Sequence, residues 1–351
     1  MTRKDTPRGP RVTRRALLAG SVAAGIVAPA TLSLALEMAS PKQAPAKLPV
    51  KTPRAPDPVT APPAADAADP RIEALVSQVS QERLRAHVEG LSAFPTRWSR
   101  GADFPRVQDW VADAFAAVGA PAPAVGRQAY TMSTGEARHN IVVGDPRSPR
   151  GVILIGAHMD SISDQPAVLA PGANDNATGI AAMLEARRIL GAQGFEKEIV
   201  FVAFSGEEQD LQGSTACATI ARREGWLIEV MINLDMLGHR PANPQAPIII
   251  EYDQGNANAS NNAAAQGYGT LASQLAAQYS TLSVQHTDIW DSDYMPFESA
   301  GYACMGFYDD GVDAPQYHSS TDTAGYVAFD RLEQVVRILV ALVATTAVLT
   351  A

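Results

Sequence analysis

Apolar residues divide the chain beyond residue 71 into two alternating kinds of segment. Short continuous apolar runs are typical of strands buried on both faces, and longer stretches with an apolar residue every three or four positions are typical of helices. The strand-like runs are Ile141 to Val143, Val152 to Ile155, Ile199 to Phe204, Val230 to Leu234, Ile248 to Glu251 and Ala303 to Phe307. This alternation predicts an α/β fold of three layers, with helices on both faces of a mixed but mostly parallel central sheet.

The helix-like stretches begin close to residue 71 and recur to the end of the chain. They lie at Ile72 to Leu91, Val107 to Phe115, Ala177 to Leu190, Ser214 to Arg223, Thr270 to Tyr279 and Phe329 to Leu349. Gly119 and Pro121 are expected to end the second of these helices, and Asn256 to Gln266 is expected to be a surface loop. The uncharged run after Arg337 is too short to span a bilayer, so the last helix is predicted to lie in the core.

The first seventy residues differ in character from the rest. Thr13-Arg14-Arg15-Ala16-Leu17-Leu18 is a twin-arginine pattern that leads into an apolar stretch ending at Leu36. Residues 1–40 are therefore predicted to be a twin-arginine signal for export from a bacterial cytoplasm to the periplasm or the medium, with an N-terminal membrane anchor as the alternative. Residues 41–70 are rich in Pro and Ala and are predicted to be a semi-rigid linker. Residues 71–351 remain as a single folded domain.

Charge and cysteine content exclude several kinds of function. The formal net charge is -9, and the first fifteen residues carry six basic side chains against one acidic, so the remaining chain is more acidic still. Such a domain is not suited to bind nucleic acid. Cys217 and Cys304 are too few for a disulfide framework or a thiolate zinc site, and two buried free thiols are favoured over one bridge.

Acidic and imidazole side chains follow three of the strand-like runs: His158-Met159-Asp160, Glu207-Glu208 after Ser205-Gly206, and Asp235. Two further segments with such side chains lie elsewhere: Pro171 to Gly179, which carries Asp175 and leads into a helix, and the downstream Tyr317-His318-Ser319-Ser320-Thr321-Asp322. Because active sites in open α/β sheets gather at the carboxyl ends of strands, these segments are expected to converge.

Two histidines and several carboxylates without a thiolate form a ligand set that suits a pair of zinc ions. A nearby carboxylate that is not a ligand can then move a proton from water to a leaving amine. Singly, each residue has a plainer interpretation: His158 as a core histidine, Asp175 as a helix cap, and the glutamate pair as solvated strand-end charges. Their ordered occurrence together favours the metal site.

In these segments the chain resembles the cocatalytic dizinc aminopeptidases, a family that includes bacterial leucine aminopeptidases and has glutamate carboxypeptidases and glutaminyl cyclases as relatives. The resemblance spans roughly Arg71 to Leu349 and rests on five motifs in the family's order. The motifs are His158-Met159-Asp160, Gly172-Ala173-Asn174-Asp175-Asn176, Ser205-Gly206-Glu207-Glu208, Asn233-Leu234-Asp235-Met236 and Tyr317-His318, with Ser92 to Arg97 as an upstream match. It implies the zinc-exopeptidase fold and an exported metallopeptidase that hydrolyses the N-terminal peptide bond.

The resemblance also implies two metal sites that share one ligand. Asp175 would bridge the two zinc ions. His158 and Asp235 would complete one site, and Glu208 and His318 would complete the other. The family further implies a cis peptide bond between Asp175 and Asn176.

Three further residues receive catalytic roles from the same resemblance. Glu207 would be the general base and acid. Asp160 would orient the imidazole of His158 through its carboxylate. Tyr317 would donate a hydrogen bond to the tetrahedral oxyanion, although a packed tyrosine is its plainer interpretation.

The segment from Pro241 to Asp330 bears on which end of a peptide is recognised. It contains eleven acids and no Lys or Arg. An acidic rim suits the ammonium group of a peptide with a free N-terminus, whereas a carboxypeptidase needs cationic groups, for which Arg240 is the nearest candidate. Solvated loop acids or a bound Ca²⁺ are the alternatives for these residues. An aminopeptidase is therefore predicted, with a glutaminyl cyclase-like acyltransferase, a carboxypeptidase and a non-catalytic peptide-binding relative as alternatives.

The preferred N-terminal residue stays open. An acidic rim also suits Lys or Arg at that position, whereas a set of large apolar residues predicts an apolar pocket. The set is Trp290, Tyr294, Met295, Phe297, Phe307 and Tyr308. The chain departs from the family at Ser292-Asp293-Tyr294, where Ser-Asp-His is frequent, and this affects the expected specificity rather than the expected hydrolysis.

Overall fold

The computed structural model describes residues 68–118, 124–309 and 314–350. The predicted signal or anchor, almost all of the predicted linker, and Gly119 and Pro121 lie outside the described residues. In the described part the helices are α1 Pro70–Val76, α2 Gln81–Ser92, α3 Phe104–Ala117, α4 Thr178–Leu190, α5 Gln212–Glu224, α6 Asn262–Tyr279, α7 Met295–Ser299 and α8 Phe329–Thr346. The strands are β1 Val125–Thr131, β2 Ala137–Val143, β3 Val152–His158, β4 Glu198–Phe204, β5 Ile228–Leu234, β6 Ile248–Tyr252, β7 Val284–Thr287 and β8 Cys304–Tyr308.

The strands form one mixed sheet in the order β1-β2-β4-β3-β5-β8-β6-β7. The four central strands, β4, β3, β5 and β8, run parallel to one another. Antiparallel pairing occurs on either side of them, where β2 meets β4 and β6 meets β8. The predicted mixed α/β sheet is confirmed, with its parallel part in the centre, where the carboxyl ends of four neighbouring strands meet.

Alternate residues of the central strands pack on opposite faces of the sheet, which gives the predicted three layers. Ile153 and Ile155 of β3 belong to a core that is shared with α1, α2, α3, α4, α6 and α8. Val152 and Leu154 of the same strand belong to a second core that includes residues of α5 and α7. A strand buried on both faces must be apolar at successive positions, which explains the continuous apolar runs in the sequence.

The last helix is a core helix, as its sequence predicts. Residues of α8 from Leu332 to Val343 fill the larger core, with Val335, Leu339 and Leu342 fully buried. Among the residues that the structure describes, no helix combines the length and the apolar character needed to cross a membrane. Cys217 and Cys304 are both buried free thiols, which confirms the interpretation that was favoured over a bridge.

Two strands and three helical regions differ from the sequence prediction. The single helix predicted from Ile72 to Leu91 is two helices, α1 and α2, and the short helix α7 was not predicted. β1 and β7 lie at the edges of the sheet and are largely half-exposed or exposed, so neither carries a continuous apolar run. The helix predicted from Thr270 begins at Asn262 instead. Its first turns are rich in Ala and carry few large apolar residues, so the apolar pattern of the sequence does not mark them. Residues 262–266 are therefore helical, and the predicted loop is correspondingly shorter.

Candidate metal centre

Three of the central parallel strands deliver side chains to one site. His158 is the last residue of β3, and Asp235 directly follows β5. Glu207 and Glu208 follow β4 after Ser205 and Gly206, and Gly206 takes the left-handed conformation (φ 75°) that turns the chain into a short 3₁₀ turn. These strands are neighbours and run parallel, so their carboxyl ends bring the four side chains together.

The carboxylate of Asp175 stands between the two histidines. Its Oδ1 is 3.2 Å from Nε2 of His158, and its Oδ2 is 3.2 Å from Nε2 of His318. Asp235 Oδ1 lies 3.4 Å from the same nitrogen of His158, and Glu208 Oε2 lies 3.0 Å from that of His318. Each imidazole thus faces two carboxylate oxygens, and Asp175 is shared between them.

Asp175 is held in place by a tight turn and by a second buried carboxylate. The turn spans Ala173–Ala177, its residues Asp175 and Asn176 lie outside the helical region of backbone angles, and the Asp175-Asn176 peptide bond is cis, as the family resemblance implies. The backbone N–H groups of Asn174 and Asp175 donate to Asp322 at 2.9 and 3.0 Å. The side chain of Asn176 donates to the carbonyl of Leu234 at 2.8 Å, which ties the turn to the end of β5.

His158 is almost completely buried, and its ring is oriented by the backbone of Asp160. Nδ1 of His158 is 3.1 Å from the carbonyl oxygen of Asp160 and 3.9 Å from the nearer carboxylate oxygen of that residue. The carboxylate instead accepts a hydrogen bond from the backbone N–H of Glu207 at 3.3 Å. The contact expected from the carboxylate is therefore made by the carbonyl, and the carboxylate links β3 to the turn after β4.

The glutamate pair divides between the two halves of the site. Glu208 contacts His318, whereas Oε2 of Glu207 is 4.0 Å from Nε2 of His158. Both side chains are shielded, with exposed fractions of 4% and 13%. Oε1 of Glu208 is buried and has no hydrogen-bond partner among the described residues. A bound cation would satisfy this oxygen, since buried polar atoms in folded proteins rarely lack a partner.

Burial and mutual repulsion disfavour the charged forms of these carboxylates. Burial raises the pKa of Glu208 to about 7, and the nearby Asp175 acts in the same direction. Burial, with Glu208 and Asp235 adding to it, raises the pKa of Glu207 well above its ordinary value. Burial alone would lower the pKa of His318, but its bonds to Asp175 and Glu208 raise it to about 10. The site therefore favours added positive charge.

The donor set fits zinc. Imidazole nitrogens and carboxylate oxygens are ordinary zinc ligands, and atoms that bind one zinc at about 2.0–2.2 Å lie on the order of 3–3.5 Å apart. The ligand atoms of His158, Asp175 and Glu208 lie within 4.8 Å of one another, and so do those of His158, Glu207 and Asp235. Glu207 makes the longest of the contacts to a histidine nitrogen.

Tyr317 packs directly on the second histidine. Its ring is stacked on that of His318 with the centroids 3.7 Å apart and the planes 23° from parallel. Tyr317 also borders a small cavity that is lined by Asp175, Met236, His239 and Tyr326. The structure places Tyr317 at the site, and its expected hydrogen bond to an oxyanion stays a prediction.

Several side chains that support the ligands were not assigned a role from the sequence. Ser292 donates from its hydroxyl to Asp235 at 2.8 Å and accepts from the side chain of Asn233 at 2.9 Å. Asp309 accepts from the side chain of Asn174 at 3.0 Å. Asp322 lies in the segment that begins with Tyr317 and His318. Those two residues were predicted to act at the site, whereas Asp322 itself was given no role.

The expected acidic rim is only partly present. Of the eleven acids between Pro241 and Asp330, six are buried, three are exposed and two lie outside the described residues. The buried acids are Glu251, Asp253, Asp293, Glu298, Asp309 and Asp322. Many of them accept hydrogen bonds from nearby backbone N–H groups, as Asp253 does from Gly255 and Asn256. The acids of this segment therefore mainly stabilise loops, and Ca²⁺ binding there stays a prediction.

Half of the expected apolar pocket wall lies in the core. Tyr294, Phe297 and Phe307 are at most 1% exposed, so they do not line an open pocket. Met295 and Tyr308 are half-buried, and 51% of the surface of Trp290 is exposed. Arg240, the candidate cation for a carboxylate-binding site, donates to the carbonyl of Val327 and borders a surface depression that contains none of the ligands.

Comparisons with known proteins agree with this geometry. The model of peptidase family M28 matches residues 140–343. Leucine aminopeptidase 1 of Trichophyton rubrum is 26% identical over 294 residues, which cover 78% of this chain and 75% of the relative.

Solved structures with the same fold include more than one activity. The LapA aminopeptidase of Legionella pneumophila matches with a TM-score of 0.68 at 16% identity, covering 81% of this chain and 77% of that one. A glutaminyl cyclase of Bacteroides thetaiotaomicron matches with a TM-score of 0.62 at 17% identity, covering 76% and 97%. At these identities the structural matches establish the fold alone.

Proposed function

The chain belongs to peptidase family M28, and from this premise we propose that it is a dizinc aminopeptidase that removes N-terminal residues from peptides. The observation that carries the proposal is the position of Asp175, whose two oxygens each lie 3.2 Å from a different histidine nitrogen. A carboxylate placed in this way can bridge two ions. His158 and Asp235 would complete one site, and His318 and Glu208 the other.

Zinc at these positions would supply Lewis acidity, which polarises a substrate carbonyl and lowers the pKa of a water towards about 7. Glu207 is proposed to take a proton from that water and to deliver it to the leaving amine. Its carboxylate is shielded and makes the longest contact to a histidine nitrogen, 4.0 Å, which suits a group that moves a proton rather than one that binds an ion. Its backbone N–H is bonded to Asp160, which fixes the turn that carries it.

Recognition of the amine end of a peptide is supported by the positions of the arginines. A free substrate carboxylate would need an available guanidinium or ammonium group. Arg97, beneath the site, donates to three backbone carbonyls, and Arg240 donates to Val327. The leucine aminopeptidase among the relatives points the same way. The buried carboxylates around the ligands favour an ammonium group by their charge.

The mechanism is tested by replacing the two glutamates separately. Glu207→Gln is expected to keep both zinc ions and to lower turnover by roughly 10²–10⁴-fold, the usual contribution of a general base. Glu208→Gln is the matched control, and it is expected to lose zinc from the His318 half. Metal content by mass spectrometry and turnover on aminoacyl p-nitroanilides are measured on the same preparations. Normal turnover in Glu207→Gln would contradict the proposed role of Glu207 as the general base.

The substrate end is tested with paired substrates that differ only in N-acetylation. An aminopeptidase cleaves the free form and leaves the acetylated form intact. Cleavage of acetylated peptides from their carboxyl end would indicate a carboxypeptidase, and formation of pyroglutamate from N-terminal glutamine would indicate a cyclase. Binding without turnover across the panel would indicate a non-catalytic relative.

We further propose that the protein is exported through a twin-arginine signal, with a retained membrane anchor as the alternative. The proposal is supported by Arg14 and Arg15 before an apolar stretch, and these residues lie outside the described part of the chain. A variant with both arginines replaced by lysine is expected to accumulate in the cytoplasmic fraction. Unchanged distribution between fractions would contradict the export proposal.

A further inference from the structure

We propose that Arg97 is a positioning residue that sets the distance between the His158 and Asp175 ligands of the metal centre. The inference rests on the proposed zinc function, because the distance in question matters for holding the ions. Arg97 lies in the Ser92 to Arg97 segment, before the first strand, and its side chain is fully buried.

The guanidinium of Arg97 joins the two chain segments that carry these ligands. Its Nε donates to the carbonyl of Met159 at 2.8 Å, and Met159 is the residue directly after His158. Its Nη2 donates to the carbonyl of Gly172 at 2.9 Å, and its Nη1 donates to that of Pro171. Gly172 directly precedes the turn that presents Asp175. One planar group therefore spans from the end of β3 to the start of that turn.

The backbone around Arg97 strengthens the same connection. The carbonyl of Arg97 accepts from the N–H of Ser161 at 3.2 Å. Thr96 pairs with Ala170 in an isolated bridge. The residue is thus anchored to the segments on both sides of the gap that its side chain spans, which limits how far the guanidinium can move.

An arginine is suited to this place in a way that lysine is not. The guanidinium is flat and holds five N–H groups in a fixed fork, whereas an ammonium is a single point on a flexible stem. Gly172, whose carbonyl accepts from the guanidinium, has a left-handed φ of 53° that favours glycine. A Cβ at this position would lie 2.8 Å from Nη2 of Arg97 and 2.3 Å from the carbonyl oxygen of Asp175. The close approach of turn and guanidinium therefore requires glycine.

Arg97 affects the ligands through its positive charge, without a hydrogen bond to their carboxylates. Asp322, Asp160, Asp175 and Glu208 interact with Arg97 through their charge, yet among the described residues its guanidinium bonds go to backbone carbonyls and to no carboxylate. Its bonds go to carbonyls only, so it offsets repulsion between the acids and leaves their oxygens available to metal ions. Burial lowers the pKa of Arg97 to about 10, at which the group still carries its charge at neutral pH.

Arg138 provides a matched control within the same protein. It is also buried, and its guanidinium also donates to three backbone carbonyls: those of Ala137 at 2.8 Å, Gly101 at 3.0 Å, and Ser99. None of these carbonyls belongs to a segment that carries a metal ligand. Replacing either arginine removes the same kind of bonds, but only Arg97 is expected to affect the ligands.

The test compares Arg97→Lys with Arg138→Lys in the full-length protein. Zinc affinity is measured by competition with a chromophoric chelator, and ligand geometry is measured from the visible absorption of the cobalt(II)-loaded protein. We expect both variants to lower the thermal midpoint of unfolding. Only Arg97→Lys is expected to weaken zinc binding, by about 10–100-fold, and to shift the cobalt bands.

Three outcomes would overturn the inference. Wild-type zinc affinity and cobalt spectrum in Arg97→Lys would do so, and so would an equal loss of affinity in both variants, which would indicate general destabilisation. If the wild-type protein itself bound no zinc, the proposed function would fail together with this inference. If the wild-type protein binds two zinc ions and Arg97→Lys has the same zinc affinity and cobalt spectrum, this inference is contradicted and the proposed function is not.

A second variant covers the case in which Arg97→Lys does not fold. Gly172→Ala keeps the guanidinium, but its Cβ would lie 2.3 Å from the carbonyl oxygen of Asp175, 2.5 Å from Cβ of Ser161 and 2.8 Å from Nη2 of Arg97, so the turn must shift relative to the guanidinium. We expect the same shift of the cobalt bands and a weaker zinc affinity. Gly225→Ala is its control, because Gly225 also has a left-handed φ and no atom within 4 Å of an added Cβ. Unchanged metal binding in Gly172→Ala would equally overturn the inference.

Discussion

The two halves of the metal centre stand on different supports. The His158 half, His158 and Asp235, is carried by the ends of two central strands, and the imidazole is only 1% exposed. The His318 half, His318 and Glu208, is carried by a loop and a short 3₁₀ turn, and its imidazole is 39% exposed. His318 also has a positive φ of 51°, which is uncommon for a residue with a side chain.

The supporting hydrogen bonds differ in the same way. In the His158 half, the imidazole is bonded to the carbonyl of Asp160, and Asp235 accepts from Ser292. In the His318 half, the histidine is covered on one face by Tyr317, and one oxygen of Glu208 has no partner among the described residues. The comparison shows that the buried half is held by hydrogen bonds from neighbouring protein groups, whereas the more exposed half leaves one carboxylate oxygen without a partner among the described residues. We therefore expect a bound metal to matter more for ordering the His318 half.

The largest effect is expected on replacing Asp175, the residue that both halves share. Asp175→Ala takes away the ligand that both halves share, so both zinc ions should be lost on dialysis and turnover should fall by about 10³-fold or more. Zinc content by mass spectrometry and initial rates on an aminoacyl p-nitroanilide provide the measurement. Asp291→Ala, at an exposed aspartate, is the control. Two zinc ions retained in Asp175→Ala would refute the bridging role.

A smaller effect should be confined to the His158 half. Ser292→Ala removes the hydroxyl that bonds Asp235, and loss of such a supporting bond typically costs about 10–100-fold in metal affinity or activity. We expect one of the two zinc ions to bind more weakly and the other to be unchanged in a chelator competition. Ser319→Ala is the counterpart beside His318, where the hydroxyl bonds the carbonyl of Gln316 instead of a ligand. Equal effects of both variants would remove the contrast.

The smallest effect concerns stability without metal. His158→Ala should lower the free energy of unfolding by about 1–3 kcal/mol, because it opens a buried space and leaves acids without their partner. His318→Ala should change it by roughly 0.5 kcal/mol, because its side chain is partly solvated. Urea unfolding of both variants with chelator present measures the difference. A larger loss for His318→Ala would reverse the comparison.

The residues proposed as ligands could be named from the sequence. His158, Glu208 and Asp235 lie in short motifs at the ends of strand-like runs, which parallel strands bring together, whereas Asp175 and His318 lie in loops and are indicated only by the resemblance to the family. The supports could not be predicted in this way. Arg97 and the carbonyl that it bonds are 62 residues apart, and Ser292 is 57 residues from Asp235. Nothing in the local sequence around either residue indicates its partner.

Composition was a weaker guide than motif order. The acids after Pro241 suggested a charged rim, and the aromatic residues of the same segment suggested a pocket wall. Most of the acids are instead buried as hydrogen-bond acceptors in loops, and most of the aromatic residues fill the core. A count of residue types carries no information on which side chains turn inward, because that depends on how distant segments pack.

By itself, the sequence determined the α/β class, the central strands and the order along the chain of the residues proposed as ligands. These features depend on local periodicity and on neighbouring residues in the sequence, so the amino-acid sequence is sufficient to predict them. Only the tertiary structure decided that Asp175 faces both histidines, that the carbonyl of Asp160 rather than its carboxylate meets His158, and that one histidine is buried while the other is half open. Distances and exposure at a metal centre are set by loops that pack together from distant parts of the chain, and the packing exists only in the folded state.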